Sequence, residues 1–140
     1  ETIRIFIDCG EKLNAVDRFG VTPLAAAAAR GRLDLVELLL SRGAEVKVEN
    51  MPNCPFWWAA RSGHLDIFRV LHNYPGAGLN SRDMGGSTPL AVAAEMSYNH
   101  IARILLSNGR TDANLADVFA NTPLHKAVRR GNVGLVRMLM

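Results

Sequence analysis

Four histidines and two cysteines are the side chains here best suited to metal binding or nucleophilic catalysis: His64, His72, His100, His125, Cys9 and Cys54. A helical metal site needs a second ligand one turn away, and neither His72 nor His100 has a His or Cys three or four residues on. The cysteines form no C-x-x-C pair, so a structural zinc and a disulfide framework are both unsupported. The sequence also lacks a G-x-S-x-G elbow, an H-E-x-x-H motif and a phosphate-cradling glycine loop; Gly76-Ala77-Gly78 only lengthens a loop after Pro75. The expectation is a chain that is not an enzyme and carries no cofactor or metal. What does recur is Asn14-x-x-Asp17, Asn80-x-x-Asp83 and Asn114-x-x-Asp117. Asn and Asp side chains bond nearby backbone groups, so this spacing fixes turns.

The elements that carry those turns belong to a soluble chain of one domain. It has 140 residues, 49% apolar and 21% charged, spread along its length. Its net charge of +3 comes from 13 Arg and 3 Lys interleaved with 13 acids, rather than from a basic stripe, so no nucleic-acid partner is expected. The longest apolar stretch, Pro23 to Ala29, is too short to cross a bilayer. Sparse, unpaired cysteines suit a reducing, intracellular compartment.

The dipeptides Thr22-Pro23, Cys54-Pro55, Thr88-Pro89 and Thr122-Pro123 place prolines at intervals of 32, 34 and 34 residues. Behind each proline come an apolar residue (Leu24, Phe56, Leu90, Leu124) and a small pair (Ala27-Ala28, Ala59-Ala60, Ala93-Ala94, Ala127-Val128). Gly31, Gly63, Ser97 and Gly131 keep the same phase. A fixed period near 33 marks stacked copies of one supersecondary unit. In the unit from Thr22, the threonine caps a helix and Pro23 takes its first position, where a missing N–H costs nothing. Gly31 ends that helix in the left-handed conformation. A second helix runs from Leu33 to Ser41, with Leu35, Val36, Leu39 and Leu40 at helical spacing, and Ala44 to Asn53 reads as an extended loop or β-finger.

Thr122-Pro123-Leu124-His125-Lys126-Ala127 makes the sequence resemble the ankyrin-repeat family, whose T-P-L-H-x-A signature it carries whole. Thr22-Pro23-Leu24-Ala25 and Thr88-Pro89-Leu90-Ala91 keep all but the His. The resemblance spans essentially the entire chain and implies an all-α fold, an ankyrin-repeat α-solenoid of helix-turn-helix units with β-finger loops. The expected division is a partial repeat at 1–16, repeats at 17–48, 49–82 and 83–116, and a truncated repeat at 117–140. Residues 1–9 align with a second helix whose first helix is absent, so the chain reads as a fragment of a longer array, monomeric in its full-length context. The resemblance gives His125 and His64 structural roles in the loops. Two units depart from the pattern. One has Cys54 as its cap and Trp57-Trp58 after Phe56, two rings that either fill space between helices or anchor a partner. The other has Ser97-Tyr98-Asn99-His100 after its first helix, which predicts local looseness.

A stacked array of this kind offers a curved surface rather than an enclosed pocket, which suits binding. In the family the partner surface is made of finger tips and the exposed end of each first helix. Carried over, this implies Arg18, Phe19, Val21 and Arg30 in the first full repeat and Met51, Asn53 and Arg61 in the second. Met84, Ser87 and Met96 follow in the third, and Phe119, Asn121, Arg129 and Arg130 in the last. Phe19, Met51, Met84 and Phe119 would form an apolar ridge beside Arg30, Arg61, Arg129 and Arg130. The partner so implied is a protein segment with acidic and apolar residues, because arginine forks bind carboxylates at two points and Phe and Met give apolar contact. The alternative is that the fingers pack on each other and the arginines form a solvated face. A second functional reading makes the array the docking or regulatory arm of an enzyme whose catalytic domain lies elsewhere.

Overall fold

The computed structural model describes residues 13–46, 54–74, 78–107 and 109–140. Among them the helices pair as α1 (Pro23–Arg30) with α2 (Leu33–Ser41), α3 (Pro55–Ser62) with α4 (Leu65–His72), α5 (Pro89–Met96) with α6 (Asn99–Ser107), and α7 (Pro123–Arg129) with α8 (Val133–Leu139). The described residues contain no strand, so the fingers at 17–21, 83–87 and 117–121 are turns. The described residues thus form the expected all-α solenoid of stacked helix-turn-helix units. The helix expected over residues 1–9 lies outside the described residues, as do Met51 and Asn53.

Each first helix begins the same way. Thr22, Thr88 and Thr122 are extended, and their Oγ1 atoms accept the N–H of the residue three positions on, at 3.1, 3.2 and 3.4 Å. Cys54 does this with sulfur, its Sγ 3.4 Å from Trp57 N, so a softer acceptor still seats Pro55 at the helix start. In the last unit His125 completes a capping box: its Nδ1 accepts from Thr122 N at 3.1 Å, which requires that nitrogen to carry no proton.

The first helices stack in succession, α1 on α3, α3 on α5, α5 on α7, and the second helices form a parallel outer row. Ala27, Ala28, Ala59, Ala60, Ala93, Ala94 and Ala127 are all buried, and their small size lets the inner helices approach closely. Phe56 and Phe68, with ring centroids 4.6 Å apart, fill the space between α3 and α4. Burying each such ring contributes about 3 kcal/mol.

A second contact sets the spacing between units. Gly31 and Gly63 are left-handed, each with φ 71°, and a Cβ on them would lie 2.6 Å from a ring atom of His64 and Tyr98 respectively. Each ring therefore lies on the turn of the preceding unit. Where the turn residue is Ser97, also left-handed at φ 60°, the following unit supplies the shorter Asn132, which exchanges two hydrogen bonds with Asn99 at 2.6 and 3.3 Å. The Ser97 turn keeps the left-handed backbone of the others, and Pro89 to Ala94 are all buried.

Candidate functional site

The recurring aspartates build the finger tips. Asp17 Oδ1 accepts Phe19 N and Val21 N at 2.8 and 3.1 Å; Asp83 Oδ1 accepts Gly85 N and Ser87 N at 2.9 and 2.8 Å. Asp117 Oδ1 accepts Phe119 N and Asn121 N, both at 2.9 Å. Gly20, Gly86 and Ala120 close these turns with φ of 78°, 80° and 62°. The asparagines do a different job. Asn14 Oδ1 accepts Glu45 N at 2.9 Å, and Asn80 bonds Asp112 N and Arg110 O at 2.8 and 3.1 Å, which ties each loop to the next unit. Val118 N donates to Gly85 O at 3.0 Å and joins the last finger to its neighbour.

With the backbone so constrained, apolar side chains stand in water at the tips. Phe19 is 69% exposed, Met84 86% and Phe119 80%, and Val118 is exposed beside them. Arg18 lies over the Phe19 ring at 5.0 Å. Val21 is half-buried at the base of its finger. Arg30, Arg61 and Arg129 are exposed in the last turns of α1, α3 and α7, where a cation also suits the helix dipole, and Arg130 follows. Arg61 Nη1 donates to Met96 Sδ at 3.8 Å, which joins neighbouring units at the helix ends.

Between the last two units the fingers and helix ends enclose an open trough of about 580 Å³. Its floor is Lys126, whose side chain is only 8% exposed. Lys126 Nζ donates to Ser87 Oγ at 3.1 Å and lies 3.4 Å from Asp117 Oδ2 and 3.3 Å from Glu95 Oε2. Asp117 is 7% exposed and Glu95 43%, so one partner is internal and the other reaches the trough. The Asn121 backbone N–H, then that of Phe119 and the Lys126 ammonium, hold the Asp117 carboxyl below its ordinary value of 3.8 against the opposing effect of burial. Ser87, expected as a surface contact, is buried as the acceptor for Lys126 and as the carbonyl that takes the Trp57 Nε1 hydrogen bond at 3.1 Å. Phe119, Arg129 and Arg130 form the rim, and Arg129 Nη2 donates to Asn121 Oδ1 at 3.0 Å.

A sequence model of ankyrin repeats, three copies long, matches residues 1–83 and again 56–140. The chain belongs to the ankyrin-repeat family. Among curated relatives, cyclin-dependent kinase 4 inhibitor B of Rattus norvegicus is 39% identical over 113 residues, 75% of this chain and 81% of that protein. Neurogenic locus notch homolog protein 2 of Homo sapiens is 31% identical across 94% of this chain and 5% of its own length. The putative palmitoyltransferase ZDHHC13 of Danio rerio is 28% identical across the whole chain and 27% of its own length. Family and fold together make this ankyrin array a protein-interaction module.

Trp57 is buried in the ankyrin stack, its ring edge-on to Trp58 with centroids 5.3 Å apart and an interplanar angle of 88°, so it fills space and bridges units instead of presenting an anchor. Cys54 is buried, with Sγ 3.1 Å from Ser81 Oγ. His64 packs on a turn and His125 caps a helix. Among the described residues no group of three or more His, Cys, Asp or Glu side chains is arranged to hold a metal ion, and no helix is long and apolar enough to cross a membrane. The buried Lys126 was missed by sequence reasoning, although a signal existed: the other units place Ala26, Trp58 and Val92 at its position. Glu95 was equally marked, standing where the other units have Ala29, Arg61 and Arg129.

Proposed function

We propose that this ankyrin array recruits a protein segment along its finger tips and first-helix ends, and that the segment combines apolar with acidic side chains. The observation that carries the reading is the set of rigid turns holding Phe19, Met84 and Phe119 in water. Such side chains gain about 25 cal/mol per Å² when a partner covers them, and a pre-ordered backbone loses little entropy on binding. Arg30, Arg61, Arg129 and Arg130 beside the tips supply the carboxylate-binding forks. Arg18, Val21, Met96 and Asn121 complete the contact set, with Met51 and Asn53 assigned to it by their place in the repeat and Ser87 acting beneath it through Lys126.

Charge reversal tests this directly. Arg30→Glu combined with Arg130→Glu removes a cation from each end of the surface without touching the core. Quantitative recovery of partners on wild-type and doubly reversed protein is the measurement; selective loss of a set of acidic partners supports the reading, and identical recovery refutes it. The relatives named as kinase inhibitors make cyclin-dependent kinase 4 a sensible first purified partner for the same pair of proteins. A second reading, the docking arm of a larger enzyme, is favoured by the palmitoyltransferase match across the full chain. The flanking coding sequence decides between them, because the arm reading requires a catalytic signature there.

A further inference from the structure

Of the charged groups lining the trough between the last two units, three are cations and two are carboxylates, but they are not equally available. Lys126 is consumed below the surface by Asp117, Ser87 and Glu95. Asp117 is also consumed, by two backbone N–H groups and the ammonium. The exposed charges on the trough are Arg129, Arg130 and the half-exposed Glu95. Glu95 sits in the last turn of α5, its half-exposed side chain placing Oε2 3.3 Å from the ammonium.

We propose that Glu95 is a specificity-determining residue of this surface. The trough takes one acidic side chain of the partner segment beside an apolar side chain laid on Phe119, and Glu95 competes with that acid for Lys126. The inference rests on the proposed acidic and apolar character of the partner and assigns it a place. The exchange is one carboxylate for another, so the buried half of the cluster, Lys126 with Asp117 and Ser87, keeps its bonds throughout. When the guest acid arrives, Glu95 turns to solvent, which its exposure permits at small cost. Empty, the cluster has its ammonium satisfied. Occupied, it holds a partner carboxylate between Lys126 and the Arg129 and Arg130 forks. This unit alone departs from the Ala and Arg found at the Glu95 position elsewhere, and it alone is followed by a unit that places a lysine at the Lys126 position.

The test uses dye-labelled twelve-residue peptides in which Leu alternates with Glu, Gln or Lys on a Gly-Ser frame, read by fluorescence polarisation against the whole chain. Wild type is expected to prefer the Glu peptide. Glu95→Gln keeps a hydrogen-bond acceptor for Lys126 but removes the competing charge, so the Glu peptide should bind about fourfold tighter, as expected for losing one repulsion at roughly 5 Å in a well-solvated site. The Gln peptide should not gain. Arg130→Gln, with its side chain outside the core, should weaken the Glu peptide. An unchanged or weaker Glu peptide on Glu95→Gln, with Arg130→Gln still harmful, overturns the role of Glu95 and leaves the acidic-partner reading standing. Equal binding of all three peptides to all proteins overturns both. Thermal melting of each variant confirms that the comparison is between folded proteins.

Discussion

Replacing Gly63 by alanine isolates the contact that spaces the units. The residue is left-handed at φ 71°, a conformation that costs a Cβ-bearing residue about 1 kcal/mol. The new Cβ would also lie 2.6 Å from Tyr98 Cζ and 2.9 and 3.0 Å from two ring neighbours, so the ring must leave its seat. Displacing a packed ring adds about 2 kcal/mol, for a total near 3 kcal/mol, a large part of the stability of an ordinary domain. Urea unfolding followed by Trp57 and Trp58 fluorescence and by circular dichroism measures it, provided the two transitions coincide. Tyr98→Asn in the same chain introduces the shorter residue type that Asn132 supplies at the corresponding position of the last unit, and should relieve the steric part while leaving the backbone part. The double-mutant cycle should therefore show a favourable coupling of about 1–2 kcal/mol. A cost for Gly63→Ala below about 0.5 kcal/mol, or a cycle with no coupling, would refute the idea that ring on glycine sets the repeat spacing.

The reverse change, Ser97→Gly, removes a left-handed Cβ where no ring depends on it and should stabilise the chain by about 0.5–1 kcal/mol in the same urea assay. Lys126→Met leaves Asp117 without its cation and Ser87 without its donor, and should cost about 3 kcal/mol by thermal unfolding. Because the Asp117 pKa is lowered in the folded state, its contribution is present above the ordinary value of 3.8 and is lost as pH falls below it. Asp117→Asn should flatten that acid limb of the stability profile, measured by melting from pH 5 to pH 2.5. Thr88→Val removes a buried helix cap and should cost about 1 kcal/mol, whereas the same change at an uncapped surface position would not.

The parts of this fold written locally could be read from the chain alone. A threonine before a proline, two alanines and a glycine at fixed offsets specify cap, helix, close packing and turn within ten residues, so Thr22, Thr88 and Thr122 give the stack directly. The finger tips follow for the same reason, since each Asp bonds N–H groups two and four positions on. What was not legible depends on residues about a period or more apart. Whether Trp57 faces water or Ser87 O is decided by the following finger, 30 residues on. Sequence alone places Ser87 on the surface because nothing near it announces Lys126, whose ammonium arrives from 39 residues away. The ring-on-turn contacts of His64 and Tyr98 are hidden likewise: each residue is unremarkable until the preceding unit's turn is placed beneath it. Comparing equivalent positions between units, where Lys126 interrupts Ala26, Trp58 and Val92, is the one route by which sequence could have disclosed the cluster.

Site-specific photo-crosslinking tests the central assignment most directly. A benzophenone amino acid placed singly at Phe19, Met84 or Phe119 probes the finger tips, and the same residue at Asp66 or Arg103 probes the exposed outer helices. Irradiation in cells should give protein adducts from the tip positions, shared between at least two of them and lost with the Arg30→Glu and Arg130→Glu reversal. Adducts confined to Asp66 or Arg103, or tip adducts indifferent to the reversal, would contradict a partner held across the fingers.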